Sequence, residues 1–259
     1  MTDKTAAEFK TQYQQDGFVA PLDIFNDRET SAIRGSFDAL ETEVGREDAQ
    51  VTLIQKERQH EFIWKMATDH RILDLVSAVY GPDLVLIGTH FFCKYPAAQV
   101  GRDAFVAWHQ DVTYWGLEPP KATTAWVAVD DVDTANGAMM IIPGTHRKGL
   151  LDHGKSDRQG NLLSINQAIP EDQFTPDTAV SIELKAGQMA LHHGMVIHGS
   201  HPNHSDRRRC GLTIRYTTPD VRFVRSENLK APFQPILVRG SDRFGYNQYN
   251  DPPTFNPGP

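Results

Sequence analysis

Trp108-His109-Gln110-Asp111 places an imidazole and a carboxylate two residues apart. In a β-strand, residues i and i+2 project from the same face, about 6.6 Å apart along the chain. One further imidazole would complete the two-His-one-carboxylate set that binds Fe(II) and leaves coordination positions open. Alone, the pattern is weak. With 11 His and 22 Asp in 259 residues, about one His-x-Asp is expected by chance. The chain has two, and position distinguishes them. His204-Ser205-Asp206 contains the last histidine of the chain, so it has no later imidazole to recruit and reads as a solvated turn. His109 can be joined by His198, which ends an apolar run just before Gly199-Ser200.

Other reactive side chains read more plainly. His192 and His193 precede Gly194 and read as supporting or structural residues, His146 as a surface or loop hydrogen bonder, and Cys93 as a buried thiol. Trp64, Trp115 and Trp126 have the size of core residues. Of Arg207, Arg208 and Arg209, at least one is a solvated charge. Another could grip a carboxylate through its two-pronged guanidinium. No GxSxG nucleophile motif and no glycine-rich phosphate loop is present.

The elements that must position these groups follow from punctuation and periodicity. Residues 5–15 suit a helix stopped by Asp16-Gly17, followed by an extended piece at Phe18–Pro21. Asn26 or Asp27 can cap a second helix carrying Ile33, Phe37, Leu40 and Val44 at helical spacing. Residues 45–60 are polar and read as a loop able to cover a pocket. Asp69–Tyr80 is a third helix, ended by Gly81-Pro82. From Leu84 the pattern becomes that of strands: Leu84–Tyr95, Val106–Val112, Thr123–Val129, Ala138–Pro143, Val180–Leu184, Met189–His192, Met195–His198 and Leu212–Tyr216. The arginine run reads as the start of the last strand, antiparallel to the one ending at His198. Leu212, Ile214 and Tyr216 alternate with Thr213 and Arg215, giving one apolar and one wetter face. The expected fold is mainly β with flanking helices: a double-stranded β-helix, or cupin-like jelly roll, with N-terminal helices packed outside. Leu150–Pro176 reads as a mouth or lid segment. We read residues 1–259 as one domain, with a mostly helical part at 1–83, a jelly-roll core at 84–218 and a tail at 219–259. The tail, punctuated by Pro219, Pro232, Pro235, Pro252, Pro253, Pro257 and Pro259, is expected to wrap the surface or meet a partner.

The charge balance narrows the partners. Lys plus Arg is 26 and Asp plus Glu is 33, a net −7, which opposes nucleic acid or an anionic membrane. Two cysteines without metal spacing imply free thiols in a reducing compartment. The polar N-terminus has no apolar signal region, and no run approaches a membrane span. The expectation is a cytoplasmic protein acting on a small molecule, with a homo-oligomer left open.

The motifs together resemble the phytanoyl-CoA dioxygenase family of Fe(II)/2-oxoglutarate oxygenases, in its bacterial small-molecule hydroxylase branch. The resemblance runs from Asp16-Gly17-Phe18 to about Tyr216. It is carried by Trp108–Asp111 with Tyr114-Trp115, by Asn136-Gly137 with Ile142–His146, and by His198-Gly199-Ser200 with Asn203 and the arginines. It implies His109, Asp111 and His198 as iron ligands, with 2-oxoglutarate as cosubstrate and O2 as oxidant. The family's interval from distal histidine to clamp selects Arg209 for the far carboxylate. By the same matching Trp126 and Ser200 line the cosubstrate pocket, and His90 and Lys94 border it. Halogenating relatives replace the metal-binding Asp with a small residue; this chain keeps Asp111.

The expected substrate is small, polar and anionic or zwitterionic. Candidate contacts are Gln55, Arg58, Gln59, His90, Lys94, Tyr114 and Asn203. Resemblance to bacterial aminophosphonate hydroxylases points to 2-aminoethylphosphonate or its N-methylated forms, with Arg58, Lys94 or His90 on the phosphonate and Tyr114 or Trp115 facing the ammonium. Other readings fit the same residues: hydroxylation of another metabolite or an acyl thioester, a metal-binding cupin-like protein without oxygenase activity, and a binding module for a small acid.

Overall fold

Thr5 opens the first helix by accepting a hydrogen bond from the Glu8 amide, while the Glu8 carboxylate accepts one from the Thr5 amide. A computed structural model describes residues 5–224 and 233–255. Helix α1 (Ala6–Asp16) stops at Gly17, whose φ of 82° reverses the chain into β1 (Phe18–Asp23). Asn26 caps α2 (Asp27–Val44) by the same reciprocal device with Glu29. The expected loop at 45–60 instead contains α3 (Arg46–Val51) and a single 3₁₀ turn at Lys56–Arg58. Buried Ala49 and Leu53 give this stretch an apolar side that its many polar residues conceal. Helix α4 (Glu61–Ala67), unforeseen from sequence, buries Ile63, Met66 and Ala67, and α5 (His70–Tyr80) follows with Asp69 as cap.

The strands then build two facing sheets. In chain order they are β2 (Leu84–Lys94), then the short helix α6 (Ala97–Val100), β3 (Val106–His109), β4 (Leu117–Glu118), β5 (Thr123–Ala128) and β6 (Met139–Ile142). After these come β7 (Gly154–Lys155), β8 (Gln167–Ala168), β9 (Val180–Ile182), β10 (Gln188–His193), β11 (Ile197–Ser200), β12 (Arg209–Thr217), β13 (Arg222–Phe223) and β14 (Ile236–Arg239). The larger sheet has the order β1-β10-β5-β12-β2-β14 and the smaller β3-β11-β6-β9. This is the expected mainly β architecture with flanking helices.

Alternation along the larger sheet separates core from site. Cys210, Leu212, Ile214 and Tyr216 of β12 join Phe91, Cys93, Ala125 and Val127 in a core closed by Phe9, Phe37, Ile63 and Ile72 of the helices. The intervening Arg209, Thr213 and Arg215 face the space between the sheets. Burying each Leu, Ile or Phe contributes about 1.5–3 kcal/mol, and this helix-covered face holds the site-bearing face rigid.

Three sequence expectations change. Strand β12 pairs with β2 and β5, not with the strand holding His198, because β11 lies in the other sheet between β3 and β6. The strand at Val106 ends at His109, and Asp111 starts a 3₁₀ turn. Part of the tail is a strand, β14, on the edge of the larger sheet. Pro232, Pro257 and Pro259 lie outside the described residues. Among the described residues no helix is long and apolar enough to cross a membrane.

Candidate metal centre and pocket

His109 and His198 are paired in register on β3 and β11, which puts two imidazoles side by side at the sheet's inner face. Their Nε2 atoms lie 3.6 and 3.8 Å from Asp111 Oδ1. One donor atom from each of the three side chains falls within 4.8 Å of the others, a span suited to a single ion. The turn that begins at Asp111 swings the carboxylate in. Gln110, fully buried, pins the chain between the two by donating to Gly149 and Met195 carbonyls and accepting from the Leu151 amide.

Hydrogen bonds around the cluster prepare it for a cation. His109 Nδ1–H donates to the Ala107 carbonyl at 2.9 Å, and His198 Nδ1–H donates to that of Val196 at 3.0 Å. Each bond leaves the Nε2 lone pair pointing inward, the tautomer a metal requires. Burial drives the His198 pKa well below the ordinary value, and neighbouring His109 adds to this, so the ring is neutral and able to ligate. Burial alone would raise the Asp111 pKa, but His198 and the hydrogen bonds of His109 and His192 hold it well below the usual range. The second carboxylate oxygen accepts from Thr124 Oγ1 at 2.8 Å and from His192 Nε2 at 3.2 Å. With Oδ2 so held, Oδ1 faces the imidazoles. The donor set and its supports therefore fit Fe(II).

His192 thus has the supporting place expected of it. Its replacement by Ala should lower metal affinity about 10–100-fold without abolishing binding, as is typical for residues that orient a ligand. Metal titration checks this; unchanged affinity would mean that Thr124 suffices to hold the carboxylate.

The cluster opens on a cavity of about 490 Å³. Arg209 enters it from β12, 3% exposed, with its guanidinium 4.7 Å from the centroid of the Trp126 ring and its Nε without a partner. Burial lowers the Arg209 pKa to about 10, which leaves it charged at neutral pH. Ser200 lines the same end. Gly211 makes room for the indole: a Cβ there would lie 2.1 Å from the Trp126 ring. Gly211→Ala should cost about 1–3 kcal/mol by overpacking and should disturb the platform under Arg209. Thermal melting tests this, and an unaltered Tm would show that the ring shifts freely.

The remaining expected contacts divide. Gln55, Gln59 and His90 line the cavity, as do Ile54, Phe92, Trp115 and Phe233, so its walls are more apolar than expected. Burial, reinforced by Arg215, lowers the His90 pKa to about 3; its Nε2–H donates to the Val51 carbonyl. A neutral imidazole is no counter-ion for a phosphonate. Four residues do not line the cavity. Lys94 is fully buried behind Ser200, donating to Ser200 Oγ at 2.6 Å and to the His201 carbonyl. Through these bonds it supports the pocket wall; burial and adjacent Arg209 push its pKa well down. Arg58 points outward to the Asp251 carbonyl. Asn203 ties the turn after β11 to the Lys94 and Arg207 carbonyls. Tyr114 packs edge-on against His153. Sequence reading passed over Arg215 and Thr124, both on the inner face. The alternation of Thr213 and Arg215 with apolar residues was the available signal.

The expected lid segments both reach the cavity: Ile54, Gln55 and Gln59 from one, Leu163, Ser164, Ile165 and Gln167 from the other. His146 donates to the Gln14 carbonyl through Nε2, a buried rather than a surface loop residue.

Comparison with known proteins agrees with this geometry. The chain is 22% identical over 250 residues to the peroxisomal phytanoyl-CoA dioxygenase of Rattus norvegicus, covering 88% of this chain and 72% of that one. It is 26% identical over 175 residues to a probable alpha-ketoglutarate-dependent hypophosphite dioxygenase of Stutzerimonas stutzeri, covering 68% and 59%. A solved non-heme monooxygenase, ThoJ in its apo form, superposes with a TM-score of 0.75 at 29% identity, covering 95% of this chain and 88% of that one. Residues 13–211, which contain the whole His-Asp-His cluster and Arg209, match the phytanoyl-CoA dioxygenase family, and to that family the chain belongs.

Proposed function

We propose that this Fe(II)- and 2-oxoglutarate-dependent dioxygenase hydroxylates an unactivated C–H bond of a small anionic or zwitterionic molecule, of the aminoalkylphosphonate type. The observation that carries the reading is the pairing, in one cavity, of a metal-ready His109/Asp111/His198 cluster with buried Arg209, whose Nε has no hydrogen-bond partner. In this reading His109, Asp111 and His198 are the iron ligands, and Arg209 receives the far carboxylate of 2-oxoglutarate, with Ser200 and Trp126 flanking it. With O2, the bound iron and cosubstrate supply C–H hydroxylation coupled to formation of succinate and carbon dioxide. The protein's contribution is placement. Two backbone carbonyls orient the histidines, Thr124 and His192 aim the carboxylate, and apolar walls keep bulk water from the reacting centre.

Cavity size supports a small substrate. About 490 Å³ falls in the usual range for small-molecule sites, whose linings are mainly apolar with a few placed polar groups. The relative named as a hypophosphite dioxygenase supports a phosphorus oxyanion. We also treat residues 1–259 as one catalytic domain and place it in the cytoplasm, where Cys93 and Cys210 would stay reduced, as the free thiols of the structure are.

The test is succinate release with Fe(II) and ascorbate against aminophosphonates, small betaines, amino acids and acyl-CoA thioesters. Coupled turnover is expected from a small anion. Robust activity on an acyl-CoA alone would replace the substrate part of the reading, and no 2-oxoglutarate-dependent succinate with any of them would reject the whole.

A further inference from the structure

Strand β12 carries a second buried arginine for which neither the metal cluster nor the cosubstrate accounts. Arg215 shares the cavity-facing side of β12 with Arg209 and is 9% exposed. Its Nε meets no acceptor, and among the described residues its guanidinium forms no hydrogen bond or close ion pair. The Trp115 ring covers it, 4.9 Å from centroid to guanidinium carbon. Two carboxylates lie near enough to act on it electrostatically, Asp111 and Glu57. Among the described residues neither forms an ion pair with it: Asp111 is held by Thr124 and His192, and Glu57 accepts from Thr89 Oγ1 at 2.6 Å. A buried guanidinium with an empty fork is costly unless an anion completes it.

Register shows which anion. Arg209 lies opposite Lys94, whereas Arg215 lies opposite Gly88 on one side and Thr124 on the other. Thr124 holds Asp111, so Arg215 sits at the Asp111 end of the cavity, while Arg209 sits at the Ser200–Trp126 end. Six residues of strand separate the two arginine Cα atoms by roughly 20 Å. Arg209 lies over the Trp126 ring and Arg215 over the Trp115 ring, so the two guanidinium groups stand on separate aromatic platforms. Gly88 leaves the space before Arg215 open to Gln55, whose Cγ would lie 3.1 Å from a Cβ at position 88. Gln55 also lines the cavity and adds a carboxamide to that end.

We propose that Arg215 is the receptor for the anionic group of the primary substrate, a small oxyanion such as a carboxylate, phosphonate or sulfonate, with Gln55 and Trp115 completing the subsite. The assignment rests on the oxygenase reading above and deepens it. Because Arg215 and the metal-facing Asp111 flank the same residue, Thr124, the oxidised carbon lies within a few bonds of the anionic group.

The test uses anaerobic Fe(II)-loaded protein, in which nothing turns over. Methylphosphonate, acetate and methanesulfonate are titrated calorimetrically, and 2-oxoglutarate separately, into wild type, Arg215→Gln, Arg215→Lys and Arg209→Gln. At least one probe should bind wild type. Arg215→Gln should weaken that probe about ten-fold or more, with Arg215→Lys intermediate because a lysine keeps charge but loses the fork. The 2-oxoglutarate affinity should move less than about three-fold in Arg215→Gln and should collapse in Arg209→Gln. Should Arg215→Gln fail to fold, Arg215→Lys and Gln55→Ala carry the comparison, and each should weaken the probe. Probe binding indifferent to these changes, absence of binding by every probe, or equal losses for probe and 2-oxoglutarate would overturn the assignment. Failure of 2-oxoglutarate to bind wild type would instead defeat the oxygenase reading.

Discussion

His109→Ala should lose iron binding and 2-oxoglutarate turnover together, and His198→Ala should do the same. The two imidazoles face each other across β3 and β11 with ring centroids 4.1 Å apart, and both Nε2 atoms approach the same Asp111 oxygen. Removing either leaves two donors, too few for a stable site. The loss should exceed the 10–100-fold typical of residues that only support a ligand. Metal content after anaerobic loading and a competition titration measure it, with circular dichroism to confirm the fold. Wild-type iron affinity in either variant would refute the triad. His204→Ala provides the contrast. That residue is exposed, and its side chain lies 4.0 Å from Asp103. Its loss should change iron affinity by nothing measurable.

Arg209→Ala should raise the 2-oxoglutarate requirement far more than changes at its two arginine neighbours. A buried bidentate contact to a carboxylate, once truncated, costs about 2–5 kcal/mol, which appears as a large increase in the cosubstrate Kd. The neighbours are engaged elsewhere. Arg207 pairs with Asp133 at the surface. Arg208 binds Asp130, Asp38 and Glu41 and lies over the Phe37 ring, fastening α2 to the sheet. Arg208→Ala should therefore lower Tm while leaving 2-oxoglutarate affinity near that of wild type. Binding of 2-oxoglutarate to the three single variants, set beside their melting temperatures, separates the two roles. Equal losses of affinity at positions 208 and 209 would count against the clamp.

Much of the architecture was legible because local chemistry dictates it. Thr5, Asn26 and Asp69 each accept a backbone amide at a helix start, and Gly17 ends α1 in a conformation other residues resist. Period-two alternation marked the strands, and the buried halves of β2, β5 and β12 meet in one core. The meeting of His109, Asp111, His198 and Arg209 in one cavity was legible because their residue types and order match a family pattern.

The substrate end was not legible in this way. Arg58, Lys94, Tyr114 and Asn203 are polar residues close in sequence to the motifs, yet polarity does not show whether a side chain faces a cavity, a carbonyl or solvent. That depends on which strand lies opposite, and β12 lies in the other sheet from the strand holding His198. Once β12 is placed between β2 and β5, Lys94 falls behind Ser200 while Arg215 faces open space beside Gly88. Residue types and their order, matched to a family pattern, pointed to the metal and cosubstrate chemistry, because coordination needs particular donors in a particular order. Sheet pairing and long-range packing decided which arginines were left without a partner, because that depends on contacts between residues far apart in the chain.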